Sequence, residues 1–429
     1  MEQTATQLEL RLDNAKESKL FKRVFMLSAL GMIIDASDVY MAGAVNTAMI
    51  NSKFSTLAES SNFISAGFLG LFIGSLFAGY LGDKFGRRTA YQINLLIFGI
   101  ATILGAFAPN IMVLSILRFI AACGLGSEII TGYAIVNEFA PTKTRGRWSG
   151  ATAIIANFGA PLALALSLFI IPHYSWRAMF LVVGFLAIIL WLARRHFPES
   201  PRWLLSKGRT KEAQAIIEQL ETAGSYAQEN NASTKETITI SYPRALFISI
   251  ITVTAILVSL FMFTSWVPTM LLQRGINVAH SLKYTMLMMI GAPIGALIGT
   301  ILIEKIGRRI TIITTFIIGA ILAIIYTIIT AASGTIAIGF LLTTCFYILM
   351  AAAVGVYTPE IFQTPHRFRG MGWAHGTAKF LTILTPYFAA YAIGKTNPAM
   401  IFYVITGLFL IAALTIAFAG PETRFKNIK

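Results

Sequence analysis

Three short motifs appear in one order and then return about 222 residues later, so the chain reads as two related halves. Gly82-Asp83-Lys84-Phe85-Gly86-Arg87-Arg88 returns as Ile303-Glu304-Lys305-Ile306-Gly307-Arg308-Arg309. Asn137-Glu138-Phe139 with Arg145-Gly146 returns as Pro359-Glu360-Ile361 with Arg367 and Arg369-Gly370. Pro198-Glu199-Ser200 returns as Pro421-Glu422-Thr423. Membrane proteins that move solutes through a central site are built from repeats of this size, so the echo bears on function as well as on architecture.

Between the motifs the chain is apolar. With 56% hydrophobic and 12% charged residues among 429, it carries too little charge for water to be its main solvent. Apolar runs lie at 24–48, 61–82, 89–107, 110–136, 147–172, 175–196, 244–272, 280–303, 309–331, 334–358, 370–394 and 398–419. A run of about 20 residues crosses a hydrocarbon core of about 30 Å as a helix, so each is a candidate span. They fall as six, a polar segment, then six.

The net charge of +15 could point to nucleic acid, but the placement of the 34 Lys and Arg argues otherwise. Of these, only Lys53, Arg177, Arg274, Lys283 and Lys395 lie in or beside the odd-numbered loops. That is the positive-inside asymmetry, and it predicts both termini in the cytoplasm. Residues 1–21 are polar and lack the apolar stretch and cleavage site of a secretory signal. Leu8, Leu10 and Leu12 among charges read as a solvated tail or a short interfacial helix. In the central segment residues 211–220 have an amphipathic helical pattern. Low order is expected for the Ser/Asn/Thr-rich residues 225–238, where Asn231 heads a chance glycosylation sequon.

Enzyme chemistry finds no support. Cys123 and Cys345 lie inside spans, and His173, His196, His280 and His366 sit at span ends or in loops, with no metal pattern and no nucleophile elbow. No cofactor or metal is expected.

In the loop between the second and third spans, Gly79, Gly82 and Gly86 permit a tight turn. Asp83 is expected to meet a helix amino terminus, with Arg87 and Arg88 snorkelling to the interface. Gly82 to Arg88 resembles the loop motif of the major facilitator superfamily. Arg118 with Gly124 and Gly126, then Glu138 with Arg145-Gly146, Pro198 to Leu204 and Pro421-Glu422-Thr423 resemble its sugar porters and their relatives, over about residues 20–424. Sugar porters carry paired glutamines in the seventh span. This chain has Phe261-Met262-Phe263-Thr264-Ser265-Trp266-Val267-Pro268-Thr269 instead. Asp35-Ala36-Ser37-Asp38 and Gly124-Leu125-Gly126-Ser127-Glu128 are closer to the metabolite:proton symporters of aromatic acids and nicotinate, although Ala122 stands where those often have glycine.

Away from the span ends, five charged residues fall inside spans by sequence: Asp35, Asp38, Arg118, Glu128 and Lys379. A charge at mid-bilayer costs about 2.5–3.5 kcal/mol on insertion scales, so each is a functional candidate. Asp35 and Asp38 share a helix face, and two carboxylates so close in low dielectric resist ionising together, which suits a proton carrier. The resemblance implies a pair between Arg118 and an Asp of the first span. Asp38 is the better match because it precedes Gly43 at the family's spacing. Such a pair either switches with protonation or is a fixed packing contact. Glu128 lies ten residues beyond Arg118, about 15 Å along the same helix, as a coupling residue or a packing contact. His375, Lys379, Thr382 and Pro386 make one polar stripe on the eleventh span, fit to line a cavity. Lys379 would either hold a substrate carboxylate or pair with Glu128 or a span-one Asp. It takes the place where the resembling families commonly carry a basic residue, usually Arg.

Tyr40, Asn157, Phe261, Phe263 and Trp266 either complete that pocket or simply pack; Trp266 also suits an interfacial belt. Asn157 precedes Gly159-Ala160-Pro161, where a helix should break. The motif residues Asp83, Arg87, Arg88, Glu138, Arg145, Glu304, Arg308, Arg309 and Glu360 are assigned to conformational gating.

The expected fold is all-α: twelve transmembrane helices in two six-helix bundles related by a pseudo-twofold repeat. Residues 1–23 form a cytoplasmic tail, 24–196 the first bundle, 197–243 a cytoplasmic linker, 244–419 the second bundle and 420–429 the other tail. The expected function is proton-coupled import of a small organic acid, aromatic or nicotinate-like, by a monomer in a bacterial-type inner membrane. Its partners are the organic anion, protons and the lipid bilayer, without nucleic acid. The alternatives are a sugar or polyol porter and a proton-coupled exporter of amphipathic drugs or organic ions.

Overall fold

The computed structural model describes residues 2–224, 236–238, 240–363, 366–424 and 426–428. Most of the Ser/Asn/Thr-rich stretch, with the Asn231 sequon, lies outside them. The chain runs as α1 (Glu2–Asn14), α2 (Lys19–Asn51), α3 (Leu57–Phe85), α4 (Arg87–Gly105), α5 (Ile111–Phe139), α6 (Arg145–Asn157), α7 (Gly159–His173) and α8 (Trp176–Ala193). The linker helices α9 (Pro201–Ser206) and α10 (Thr210–Leu220) follow. Then come α11 (Tyr242–Gln273), α12 (Val278–Met289), α13 (Gly291–Lys305), α14 (Arg308–Ile328), α15 (Ala332–Leu349), α16 (Thr358–Glu360), α17 (Arg367–Thr382), α18 (Thr385–Lys395) and α19 (Ala399–Ala419). Short strands Glu236–Ile238 and Lys426–Ile428 pair in parallel.

Among the described residues ten helical stretches are long and apolar enough to cross a membrane. Two of the twelve runs read from sequence fall short of that measure for identifiable reasons. The helix α4 opens on Arg87-Arg88 and carries Gln92 and Asn94 in only 19 residues. The eleventh run is divided at Ile383–Leu384, and its first part bears Arg367, Arg369, His375 and Lys379. Other spans bend where the sequence lowers helix stability. The fifth breaks between Asn157 and Gly159, ahead of Pro161, and the eighth at Ile290, ahead of the same Gly-Ala-Pro triplet at Gly291 to Pro293. The tenth passes through a π-helical stretch, Met350–Tyr357.

The repeated motifs make repeated contacts, though not the ones expected of Asp83. Gly86 (φ 93°) and Gly307 (φ 113°) both adopt left-handed backbone before a helix start. The anions that meet those helix starts are Glu199, accepting from the Arg88 backbone N–H at 3.0 Å, and Glu422, accepting from the Arg308 and Arg309 N–H groups at 3.0 Å each. A side-chain carbon at Gly86 would lie 2.2 Å from Glu199 Oε2, so the carboxylate occupies the room the glycine leaves. Asp83 instead accepts from Arg87, one turn on, at 2.6 Å. Arg87 and Arg88 do not simply snorkel: Arg87 also binds Glu138 at 3.1 Å, and Arg88 donates to the Arg195 carbonyl at 2.7 Å. In the second copy Arg308 binds Glu304 at 3.2 Å and Glu360 at 3.3 Å, while Arg309 donates to the Ala417 carbonyl.

The amino-terminal segment is neither a loose tail nor an interfacial helix. Leu8 and Leu12 of α1 are buried with Ala213, Ile217 and Leu220 of α10 and with Phe21, Val24 and Phe25 at the start of α2, in a core of their own; Leu10 points outward. Arg11 binds Glu221 at 2.5 Å. Asp13 accepts from Arg202 at 2.5 Å, from Arg145 at 3.1 Å and from the Thr142 hydroxyl at 2.6 Å. Burial works against the Asp13 charge. The Thr142 and Arg202 hydrogen bonds and the two guanidinium charges outweigh it and hold the carboxyl below its ordinary value. Arg145 therefore anchors α1 to the start of the fifth span.

The halves meet at the end remote from the loop motifs. Thr47 and Thr269 share a hydrogen bond at 2.9 Å, and the Ser65 hydroxyl donates to the Ile383 carbonyl at 2.7 Å. A side-chain carbon at Gly43 would lie 2.9 Å from the Ser265 carbonyl oxygen, so the first and seventh spans touch backbone to backbone there.

Candidate functional site

The first, second, fourth and seventh spans converge on Arg118. Its guanidinium binds the Asp38 carboxylate, and its second amino group lies 3.4 Å from the Asp38 carbonyl; both residues are buried. Gly67 makes room, since a side-chain carbon there would sit 3.0 Å from Arg118 Nε, and the Phe63 ring lies 5.9 Å from the guanidinium carbon. A narrow cavity beside the pair is lined by Ile64, Phe68, Leu71, Arg118 and Ser265. Phe261 packs against Phe68 with ring centroids 5.0 Å apart and the planes tilted by 54°, which brings it to the edge of the same space. The Tyr40 hydroxyl meets that of Tyr347, a tenth-span residue absent from the sequence-based candidates.

The break at Asn157 sits against this region. Gly159 packs where a side-chain carbon would lie 2.5 Å from Ala36 Cβ, and the Ser37 hydroxyl takes up the Gly159 carbonyl at 3.3 Å. Residues 35 to 38 are thus wedged between the broken fifth span and the fourth. Asn157 itself is half-buried.

Glu128 does not pair with Lys379 or with a span-one Asp. It binds Arg194, at the end of the sixth span, at 2.7 Å with both side chains fully enclosed. Composition gave little warning of this, because Arg194-Arg195-His196 reads as an interfacial basic cluster. Lys379 is half-buried, one turn from His375 on α17, and has no hydrogen bond or ion pair among the described residues. Trp266 and Phe263 are core residues, neither belt nor pocket wall. Trp266 is fully buried, and Phe263 packs among Tyr326, Phe346 and Phe402.

Residues 24–429 match the signature of the sugar (and other) transporter family. The chain belongs to that family of membrane transporters. It is 32% identical to the inner membrane metabolite transport protein YdjE of Escherichia coli, over 97% of this chain and 96% of that one. It is 28% identical to the niacin transporter NiaP of Acinetobacter baylyi, over 98% of both. Among solved structures it resembles the crystal structure of a D-xylose-proton symporter, with a TM-score of 0.71 and 19% identity over 94% of this chain and 99% of that one. At that identity the likeness speaks for the helical fold alone; the family match and the metabolite-transporting relatives are what make the chain a multi-pass membrane transporter of metabolites.

Proposed function

We propose that the chain is a proton-coupled symporter that imports a small aromatic carboxylic acid of the nicotinate type by alternating access. The observation that carries this reading is the Asp38–Arg118 pair, buried beside a cavity that both halves line. A guanidinium holds Asp38 ionised; a proton on Asp38 releases Arg118 and the fourth span. Lys379, on the opposite half and free of an acidic partner among the described residues, offers its charge to a substrate carboxylate. Phe261 and Phe68 offer apolar faces to a ring. The name of the niacin relative supports the substrate class.

Under this reading the chain forms two six-helix bundles of twelve spans, 24–196 and 244–419, with a cytoplasmic linker and both termini cytoplasmic in a bacterial-type inner membrane. The repeated Glu199 and Glu422 contacts and the placement of Lys and Arg support it. The contacts at Thr47–Thr269, Ser65–Ile383 and Gly43 would then close the outer face. The motif clusters Asp83–Arg87–Glu138 and Glu304–Arg308–Glu360, with Arg88, Arg309 and Arg145, would gate the inner one.

Thermal stabilisation of the purified protein tests the substrate class. Nicotinate and benzoates are expected to raise the melting temperature more at pH 5.5 than at pH 8, because proton and anion bind the same state. Stabilisation by xylose or glucose, with none by the acids, would contradict the reading.

A further inference from the structure

Away from the Asp38–Arg118 pair, a second knot of charge lies nearer the loop-motif end and is more completely enclosed. Arg194 donates to Glu128 at 2.7 Å, to the Leu27 carbonyl at 2.8 Å and to the Tyr91 hydroxyl at 2.9 Å, with its guanidinium carbon 3.9 Å from the Tyr91 ring centre. A side-chain carbon at Gly31 would lie 1.9 Å from Arg194 Nη2 and 3.0 Å from Glu128 Oε1, so the glycine keeps the guanidinium's seat open. Asp35 is 1% exposed, and neither of its carboxylate oxygens has a hydrogen-bond partner. Asp35 stands one turn beyond Gly31 on α2, the residue that abuts both Arg194 and Glu128; the charged groups that act on it are Asp38 on its own helix, Glu128 on α5 and Arg194 after α8, with Tyr91 of α4 bonded to Arg194.

The count of charges does not balance. Two carboxyls share one guanidinium, and the guanidinium serves Glu128. An ionised carboxylate sealed from water without a donor is strongly penalised, and a single proton removes the penalty. Asp35 is the group left without a counter-ion.

We propose that Asp35, Glu128 and Arg194 form a second proton-binding site in which Arg194 is the positioning residue. While Arg194 serves Glu128, Asp35 carries the proton as a neutral acid. When the fourth and sixth spans shift and the guanidinium swings towards Asp35, the O–H bond breaks, the proton leaves to water and Asp35 remains as the carboxylate. The site rests on the symport reading and adds one proton to the cycle.

The number of protons moved per substrate, measured in proteoliposomes with nicotinate as the probe, tests this. With the membrane potential clamped at zero, the pH difference that halts net nicotinate flux against a fixed concentration ratio gives that number. It does so whatever the amount of protein inserted or its turnover. Asp35→Asn is expected to move one proton fewer than the native protein, because the acceptor is gone. Glu128→Gln is expected to lose the same proton, because Arg194 then pairs permanently with Asp35; it decides the matter if Asp35→Asn carries no flux. A proton number unchanged in both variants overturns the site and leaves a structural ion pair. A native protein in which no pH gradient drives nicotinate contradicts the symport reading itself, and the site with it.

Discussion

Asp38→Asn is expected to move one proton fewer with each nicotinate and so to accumulate it less steeply than the native protein. Asparagine fills the space of the protonated acid and cannot ionise, so the released state of Arg118 becomes permanent. The accumulation ratio under an inward proton gradient of one pH unit should fall about tenfold below the native ratio. The change also leaves Arg118 buried without its counter-ion, and breaking a buried pair from one side costs about 3–5 kcal/mol. A lower melting temperature should therefore accompany the loss. Asp38→Glu keeps the charge and is expected to recover part of the accumulation. Accumulation at the native level in Asp38→Asn would remove this pair from the coupling scheme.

The second large effect is expected at Lys379. A charge-assisted hydrogen bond to a substrate carboxylate is worth about 1.5–3 kcal/mol, so Lys379→Ala should weaken nicotinate binding roughly 10- to 100-fold. Lys379→Arg should retain most of the affinity, since it keeps the cation in a position where no neighbouring acid competes for it among the described residues. Equilibrium binding of nicotinate against nicotinamide separates the charge effect from general damage. The acid should lose affinity in Lys379→Ala and the neutral amide should not. Equal loss for both would mean that Lys379 shapes the cavity without reading the carboxylate.

Much of the helical framework was legible because lipid imposes a simple rule: polar backbone must satisfy itself, so long apolar runs become helices. The break at Asn157 was legible from Gly159-Ala160-Pro161 for the same local reason. What composition could not reveal was how far a long side chain reaches. Arg194 stands among basic residues at a span end, yet its guanidinium lies enclosed against Glu128 and Tyr91. Glu199 lies more than a hundred residues from the helix start that it caps, so Asp83, close by in sequence, looked the better anion. Tyr347 could be tied to Tyr40 only once the first and tenth spans were in place. Leu8 and Leu12, four apart, did carry a readable signal of a helix face, whereas the partner on α10 that covers them did not.

Uptake of labelled nicotinate into proteoliposomes under an imposed pH difference tests most directly whether a proton and an acid travel together. With the interior more alkaline by one unit and the membrane potential clamped at zero, nicotinate should accumulate inside at least about tenfold if one proton or more moves with each anion. A protonophore should return the ratio to one. Equal uptake with and without the pH difference, or uptake of xylose in place of the acid, would contradict the account.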